Sequence, residues 1–309
     1  MVFIWRGNFI GGIPQNCQRV RNAKMMLETI QRGWNKNLND VFQNVENELL
    51  ISSPYISDIG ADFLLSSVSG KFKEKGILKF LTDLSPRNIY QGSTDPKSFR
   101  QLFKAIHSIQ LFHLPRLHAK VYISDTSKAI VTSGNLTAGG IYNNFEYGVV
   151  INEIKTISVI KNDLIGYANL GALINSEEID GYCEVSEEIK ELYKQKENSS
   201  KKEIENKFRK ALNKANDKLI KVRLAEGALH SVFEKTIFYI IQKNGPLPTV
   251  AIHNFVEEIH PDLCDNSVDR VIDGVRFGKK WKHAVRTAQQ QLKKKGLAEL
   301  INGKWRLIN

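Results

Sequence analysis

Leu117-His-Ala-Lys-Val-Tyr-Ile-Ser-Asp125, continuing through Thr126-Ser-Lys-Ala-Ile-Val-Thr-Ser-Gly-Asn135, reads as two short strands around a tight turn. Alternation over 117–124 places His118, Lys120 and Tyr122 on one face and Val121 and Ile123 on the other. The turn falls on Asp125-Thr-Ser127, and a second strand over 128–133 carries Ser133 and then Asn135 toward the same edge. An imidazole beside an ammonium suits phosphoryl chemistry. The ring attacks phosphorus or moves a proton, and the lysine holds charge on the non-bridging oxygens. Ser133 and Asn135 add uncharged donors, and Glu146 suits the orienting carboxylate of a histidine.

Outward from this pair, the chain alternates strands and helices. Glu48–Ser57 and Ile77–Asp83 read as strands, 59–74 and 97–107 as helices, and 109–114 and 145–151 as further strands. That spacing predicts a layered α/β domain over 1–175. Residues 176–228 hold 12 basic and 12 acidic residues and few aromatics, the composition of a charged helical connector. Ser200-Lys-Lys-Glu203 is a capping box there, and Ile204, Phe208, Leu212, Ala215, Leu219 and Val222 follow at helical spacing.

Residues 229–309 read as a separate small domain of three helices and a hairpin. Leu229, Val232, Phe233, Ile237, Ile240 and Ile241 stripe the first helix, which Asn244-Gly-Pro246 ends. Thr249 is the expected cap of the second, with Ile252, Phe255, Val256 and Ile259 inward. Trp281, Ala284, Val285, Ala288 and Leu292 stripe the third, which stops at Gly296. Asn302-Gly303 between Leu297–Ile301 and Lys304–Ile308 is a strong hairpin signal. This is the outline of a winged helix-turn-helix.

His118-x-Lys120, Asp125, then Ser133-x-Asn135 and Glu146 together resemble the phospholipase D superfamily signature, with Thr132 where that family usually has glycine. The resemblance implies catalytic roles for His118, Lys120, Ser133, Asn135 and Glu146, an α/β/α layered fold, and no metal or other cofactor. It also implies two motif histidines per reaction, one as nucleophile and one as leaving-group acid. The chain carries one His-x-Lys, so the second is expected from a homodimer partner across a shared site.

Net charge is +11, and 276–306 holds ten Lys/Arg against Glu299 alone, the footprint of a polyanion-binding surface. Lys280, Lys282, His283, Arg286, Gln290 and Lys294 on the third helix, with Lys304 and Arg306 on the hairpin, are the candidate DNA contacts. A single-motif domain joined to such a reader resembles the metal-independent restriction endonucleases of the superfamily. That likeness implies double-stranded DNA as substrate and a methyltransferase or an ATP-driven helicase as defence partner. The alternative is a DNA-binding regulator that only dimerises through its first domain. No run of about 18 apolar residues suggests a membrane span. Cys17, Cys183 and Cys264 form no Cys-x-x-Cys pair and suit a reducing cytoplasm, and the first residues lack a secretory pattern. No zinc spacing or Gly-x-x-x-x-Gly-Lys loop is present. Asp125 with Glu153-Ile-Lys155 is the one pattern that fits a metal-dependent nuclease, and it leaves His118 unexplained.

Overall fold

The computed structural model of the protein describes residues 27–198, 202–225 and 227–308. Cys17 and the Ser200 end of the expected capping box lie outside them. Eight strands form one mixed sheet: β1 (Leu27–Ile30), β2 (Glu48–Ser52), β3 (Ile77–Thr82), β4 (Ser108–His113), β5 (Val121–Ser124), β6 (Lys128–Thr132), β7 (Gly148–Ile151) and β8 (Ala172–Ile174). Their spatial order is β1-β7-β6-β5-β2-β3-β4-β8, with β2, β3 and β4 parallel and every other pairing antiparallel.

Strand alternation sends Leu49 and Ile51 of β2, Phe80 of β3 and Tyr122 of β5 to one face. There they meet α1 (Asn35–Gln43), α2 (Asp58–Ser67), α3 (Gly70–Lys75), α4 (Pro86–Tyr90) and α5 (Pro96–Ala105). Leu50, Val121, Ile123 and Ala129 point the other way and pack on α6 (Ile154–Leu170) through Ile157 and Leu164. Helices on both faces make this an α/β/α unit. Lys79 and Lys161 both bridge Glu48 at 2.6 Å, tying α6 to the sheet. Burial alone would lift the Glu48 carboxyl, and the two ammonium groups bring it below its ordinary value.

Several boundaries differ from the sequence expectation. The strand read over 48–57 stops at Ser52, and Ile56 makes only an isolated bridge to Leu136. The helix read over 59–74 is two, because Val68 and Ser69 are extended and Ser69 caps α3. The strands read over 117–124, 128–133 and 145–151 begin at Val121, end at Thr132 and begin at Gly148. The stretch read as a connector is α7 (Ser176–Glu197) and α8 (Lys202–Ala225). Ile179, Tyr182, Val185 and Ile189 of α7 and Phe208, Ala211, Ala215 and Leu219 of α8 are buried in the same core as the sheet. The stripe read for α8 is therefore a core face and not that of a connector, and the charged residues lie mostly on the outer faces, with Arg223 buried. Asn175 and Glu178 supply a reciprocal cap to α7.

The C-terminal unit contains α9 (Leu229–Asn244), β9 (Leu247–Pro248), α10 (Thr249–Ile259), β10 (Asp269–Ile272), β11 (Val275–Lys279), α11 (Lys280–Lys294), β12 (Ala298–Ile301) and β13 (Lys304–Leu307). Trp281, Phe233, Ile237, Val256, Val285 and Trp305 fill its separate core. Asn302 and Gly303 both have positive φ, as a two-residue hairpin turn between strands requires, and β9 pairs with the far side of β13. Two features were not anticipated. The β10–β11 hairpin stands between the second and third helices, and Thr249 does not cap α10. Its hydroxyl accepts from Gln289 and Trp305 instead. Among the described residues no helix is long and apolar enough to cross a membrane.

The two units meet along a buried polar seam. Arg223 of α8 donates to Asp262 and to His260 Nδ1. Arginine only donates, so His260 Nδ1 accepts and Nε2 donates to Thr236 Oγ1 at 2.6 Å. Burial, and then Arg223, hold His260 well below its ordinary value. His113 at the end of β4 accepts the Leu84 N–H at 3.1 Å, and burial pushes it down to about 4 against the opposing pull of Asp83. Well above pH 6.5 both rings are neutral in the folded and the unfolded chain alike. As pH falls toward 4 the unfolded chain takes up protons that the folded chain refuses, so stability falls by up to about 1.4 kcal/mol per pH unit per histidine. Denaturant midpoints at pH 7 and pH 5 should therefore drop in the wild type, and drop less in His113→Asn, whose amide oxygen can still accept from Leu84. An equal drop in both would remove His113 from this account.

Candidate active site

His118 and Lys120 lie just before β5, in the segment that joins it to β4. The strand has not begun there, yet two bonds hold the backbone in extended register. Ser52 Oγ donates to the Ala119 carbonyl at 2.9 Å, and the Thr132 N–H donates to the Lys120 carbonyl at 3.1 Å. The side chains then come together as the alternation predicts. Lys120 Nζ lies 3.1 Å from each ring nitrogen of His118 and donates to the His118 carbonyl at 2.9 Å. His118 is exposed, whereas Lys120 is buried at 7% exposure. Burial pulls the Lys120 ammonium below its ordinary value, and the charge of Glu146 opposes that pull. Tyr122, expected on the same face, is fully buried and donates to the Gly134 carbonyl at 3.0 Å, so it braces the site from the core.

The second half of the site follows β6. Ser133 and Asn135 are on a loop beyond the strand end rather than on the strand itself. Ser133 Oγ donates to Glu146, accepts the Tyr147 N–H at 3.0 Å, and its own N–H donates to the Tyr147 carbonyl at 3.0 Å. Asn144 donates to the other Glu146 oxygen at 3.0 Å. Glu146 therefore orients Ser133 and Asn144 in this structure, not a histidine ring. Asn135 Oδ1 is buried with no partner among the described residues. Thr132, in place of the usual glycine, is accommodated: its hydroxyl donates to the Tyr147 carbonyl at 3.2 Å and accepts the Gly134 N–H. Close packing falls on Gly134 instead, where a Cβ would come 2.5 Å from the Trp34 ring. Trp34 Nε1 in turn donates to the Gly140 carbonyl at 2.7 Å.

Asp125 is a structural residue. It has φ 52°, and its carboxylate accepts the backbone N–H groups of Glu46, Asn47 and Glu48 at 2.9–3.0 Å. That occupies the acid that a metal-dependent reading would need. Glu153 precedes α6 and accepts from Thr156, and Lys155 is exposed on the first turn of that helix. Among the described residues no three His, Cys, Asp or Glu are grouped to hold a metal ion. His107 is exposed and His113 is buried, both away from the His118–Lys120 pair in bonding.

The candidate DNA contacts divide by exposure. Lys280, Arg286, Gln290, Lys294 and Lys304 are exposed. Lys282 is half-buried over the Trp281 ring, 5.3 Å from its centroid. His283 is gripped by Arg270 of β10, with 2.9 Å to Nδ1, and burial followed by Arg270 and Arg286 lowers its ordinary value. Arg306 is engaged by Glu299 across the β12–β13 hairpin at 2.7 Å. Arg270 joins this face although sequence reading passed over it. Its only signal was an Asp-Gly turn at 273–274 between short apolar runs, the mark of the unanticipated hairpin. Trp34 was passed over, although it heads a helical spacing with Leu38, Val41, Phe42 and Val45.

A family model described as cardiolipin synthase, PLD-like domain, matches residues 38–165. The DISARM protein DrmC of Bacillus paralicheniformis is 51% identical over 49 residues, 16% of this chain, and the chain spans about a fifth (20%) of that relative's length. Among solved structures, the phospholipase D family member Nuc of Salmonella typhimurium is similar at 18% identity and TM-score 0.38, covering 48% of this chain and 98% of Nuc. NucT of Helicobacter pylori is similar at 15% identity and TM-score 0.38, covering 48% of this chain and 99% of NucT. The archaeal chromatin protein TrmBL2 is similar at 14% identity and TM-score 0.34, covering 50% and 56%. The residues that this family model matches, 38–165, hold His118, Lys120, Ser133, Asn135 and Glu146 and are similar to a PLD-like domain.

Proposed function

We propose that the protein is a DNA phosphodiesterase of a defence system, a restriction-type endonuclease whose nucleophile is His118. The observation that carries this reading is the contact of the Lys120 ammonium, 3.1 Å from both ring nitrogens of an exposed His118. A buried cation beside an accessible imidazole is the pairing that attack on an anionic phosphodiester needs. Similarity to a DISARM protein supports the defence context.

In the proposed reaction a ring nitrogen of His118 bonds to phosphorus as the phosphorus–oxygen bond to the leaving group breaks. The leaving oxygen takes its proton from the partner's His118. Water then attacks the phosphohistidine, gives its proton to the partner's His118, and the phosphorus–nitrogen bond breaks to leave a terminal phosphate. Lys120, Ser133 and Asn135 hold the non-bridging oxygens. The homodimer is supported by the single His-x-Lys of the chain and by an apolar rim beside Glu146: Phe145 is 85% exposed and Tyr147 60%.

The C-terminal unit is proposed as a winged helix with α11 in the major groove. Its order of three helices and a terminal hairpin supports this, as do Arg286 and Gln290, exposed one turn apart. Lys280, Lys294 and Lys304 suit phosphate, and Arg270 holds His283 beside them.

Cleavage of plasmid DNA in EDTA and in magnesium is the primary test. Wild type should cut in both, and His118→Ala should lose at least about a thousandfold while still binding DNA. Cutting that needs magnesium and ignores His118 would move the chemistry to Asp125, Glu153 and Lys155. Binding without any cutting would favour the regulator, and a fully active monomer would end the shared site. On the C-terminal unit, Arg286→Ala should cost about 1–3 kcal/mol at particular base pairs. Lys294→Ala should weaken all sequences alike and reduce the salt slope by about one. A uniform loss from Arg286→Ala would reassign it to the phosphate backbone.

A further inference from the structure

We infer that Arg116 is a positioning residue for His118, tying the loop that carries the imidazole to the end of α10 in the C-terminal unit. The inference rests on the role proposed for His118. Arg116 stands two residues before it and has φ 64°, a left-handed conformation that a non-glycine residue keeps only when its surroundings impose it.

Those surroundings come from both units. From the sheet side, the buried Asp83 accepts the Arg116 N–H at 3.0 Å, and the same carboxylate is fixed by the Ser85 N–H at 2.9 Å. From the C-terminal side, the Arg116 guanidinium donates to the Glu258 carbonyl at 3.1 Å. Glu258 lies in the last turn of α10, where carbonyls lack partners within the helix and the negative end of the helix dipole favours a cation. The residues flanking His118 point into the same seam: Leu117 and Ala119 pack in a cluster with Tyr239 of α9 and Ile259 of α10. A cavity of about 390 Å³ there has His118 on one wall and Tyr239, Glu258 and Ile259 on the other.

The end of α10 is itself clamped, since His260 and Asp262 just beyond it hold Arg223 of α8. A displacement of α10 thus acts on the backbone beside the imidazole through one guanidinium. The seating of the C-terminal unit thereby sets the aim of His118.

The test uses the full chain with histidine labelled at Cε1, the His118 resonance being assigned by its loss in His118→Ala. Arg116→Gly keeps the left-handed backbone and removes the guanidinium, Arg116→Lys keeps a donor, and Glu258→Ala keeps the carbonyl acceptor. Arg116→Gly should move the His118 resonance and lower kcat about ten- to a hundredfold with KM unchanged. Arg116→Lys should recover part of both, and Glu258→Ala should leave both at wild type. A His118 resonance unmoved in Arg116→Gly overturns the inference, as does Glu258→Ala matching its loss. Should wild type cleave no DNA, the nuclease reading fails while the resonance still decides the role of Arg116.

Discussion

The 3.1 Å bond from the Thr132 N–H to the Lys120 carbonyl joins the two halves of the site, and the geometry on either side depends on it. It lies one step beyond the β5–β6 ladder, whose outermost pair is Val121 and Val131. That ladder is held by burial: Tyr122 and Ile130 enter one core, Val121, Ile123 and Ala129 the other. A slip of one residue would exchange those faces and put the core residues into solvent, so register is strongly specified. The same register brings His118 and Lys120 opposite the start of the Ser133–Asn135 loop. Core packing and site geometry are two consequences of one pairing.

The functional groups lie beyond the strand ends for a related reason. Inside β5 every position is buried, and a histidine there would lose both solvent and substrate. Just before the strand, alternation persists through backbone bonds to Ser52 and Thr132 while exposure opens, which lets Lys120 be buried and His118 accessible two residues apart. Tyr122, Trp34 and Gly134 then stiffen the loops from beneath, because the indole sits where a Cβ on Gly134 would collide.

Much of this was legible in sequence. The apolar alternation of β2 through β6, the stripe of α9 and the Asn302-Gly303 turn all carry local periodic signals, and the structure realises them within a few residues. The gathering of His118, Lys120, Ser133 and Glu146 was expected through the resemblance to the phospholipase D signature, whereas the engagement of Glu146 by Ser133 and Asn144 was not. Helix α6 was not, because its apolar residues occupy several sides: Ile157 and Leu164 meet the sheet, Tyr167 meets Tyr239, and Ile154 and Val159 are exposed. The burial of α7 and α8 was hidden by balanced charge. The seam was hidden entirely, since Arg223, His260 and Thr236 have no sequence pattern and meet only through tertiary contact.

Lys120 shows what the fold gives up to keep this site. The hydrogen-bond partners of its ammonium among the described residues all belong to His118, and the one carboxylate whose charge acts on it, Glu146, is already engaged by Ser133 and Asn144. A half-desolvated ammonium without an ion-pair partner is unfavourable in the free protein, and packing alone would favour an apolar side chain there. In the proposed reaction, an anionic phosphodiester would supply the missing counter-charge. The Glu48–Lys79–Lys161 cluster shows a contrasting arrangement, in which both cations lie against the one carboxylate of Glu48. The chain thus places two half-buried lysines against a carboxylate and one buried lysine against none, and only the last stands beside an exposed histidine.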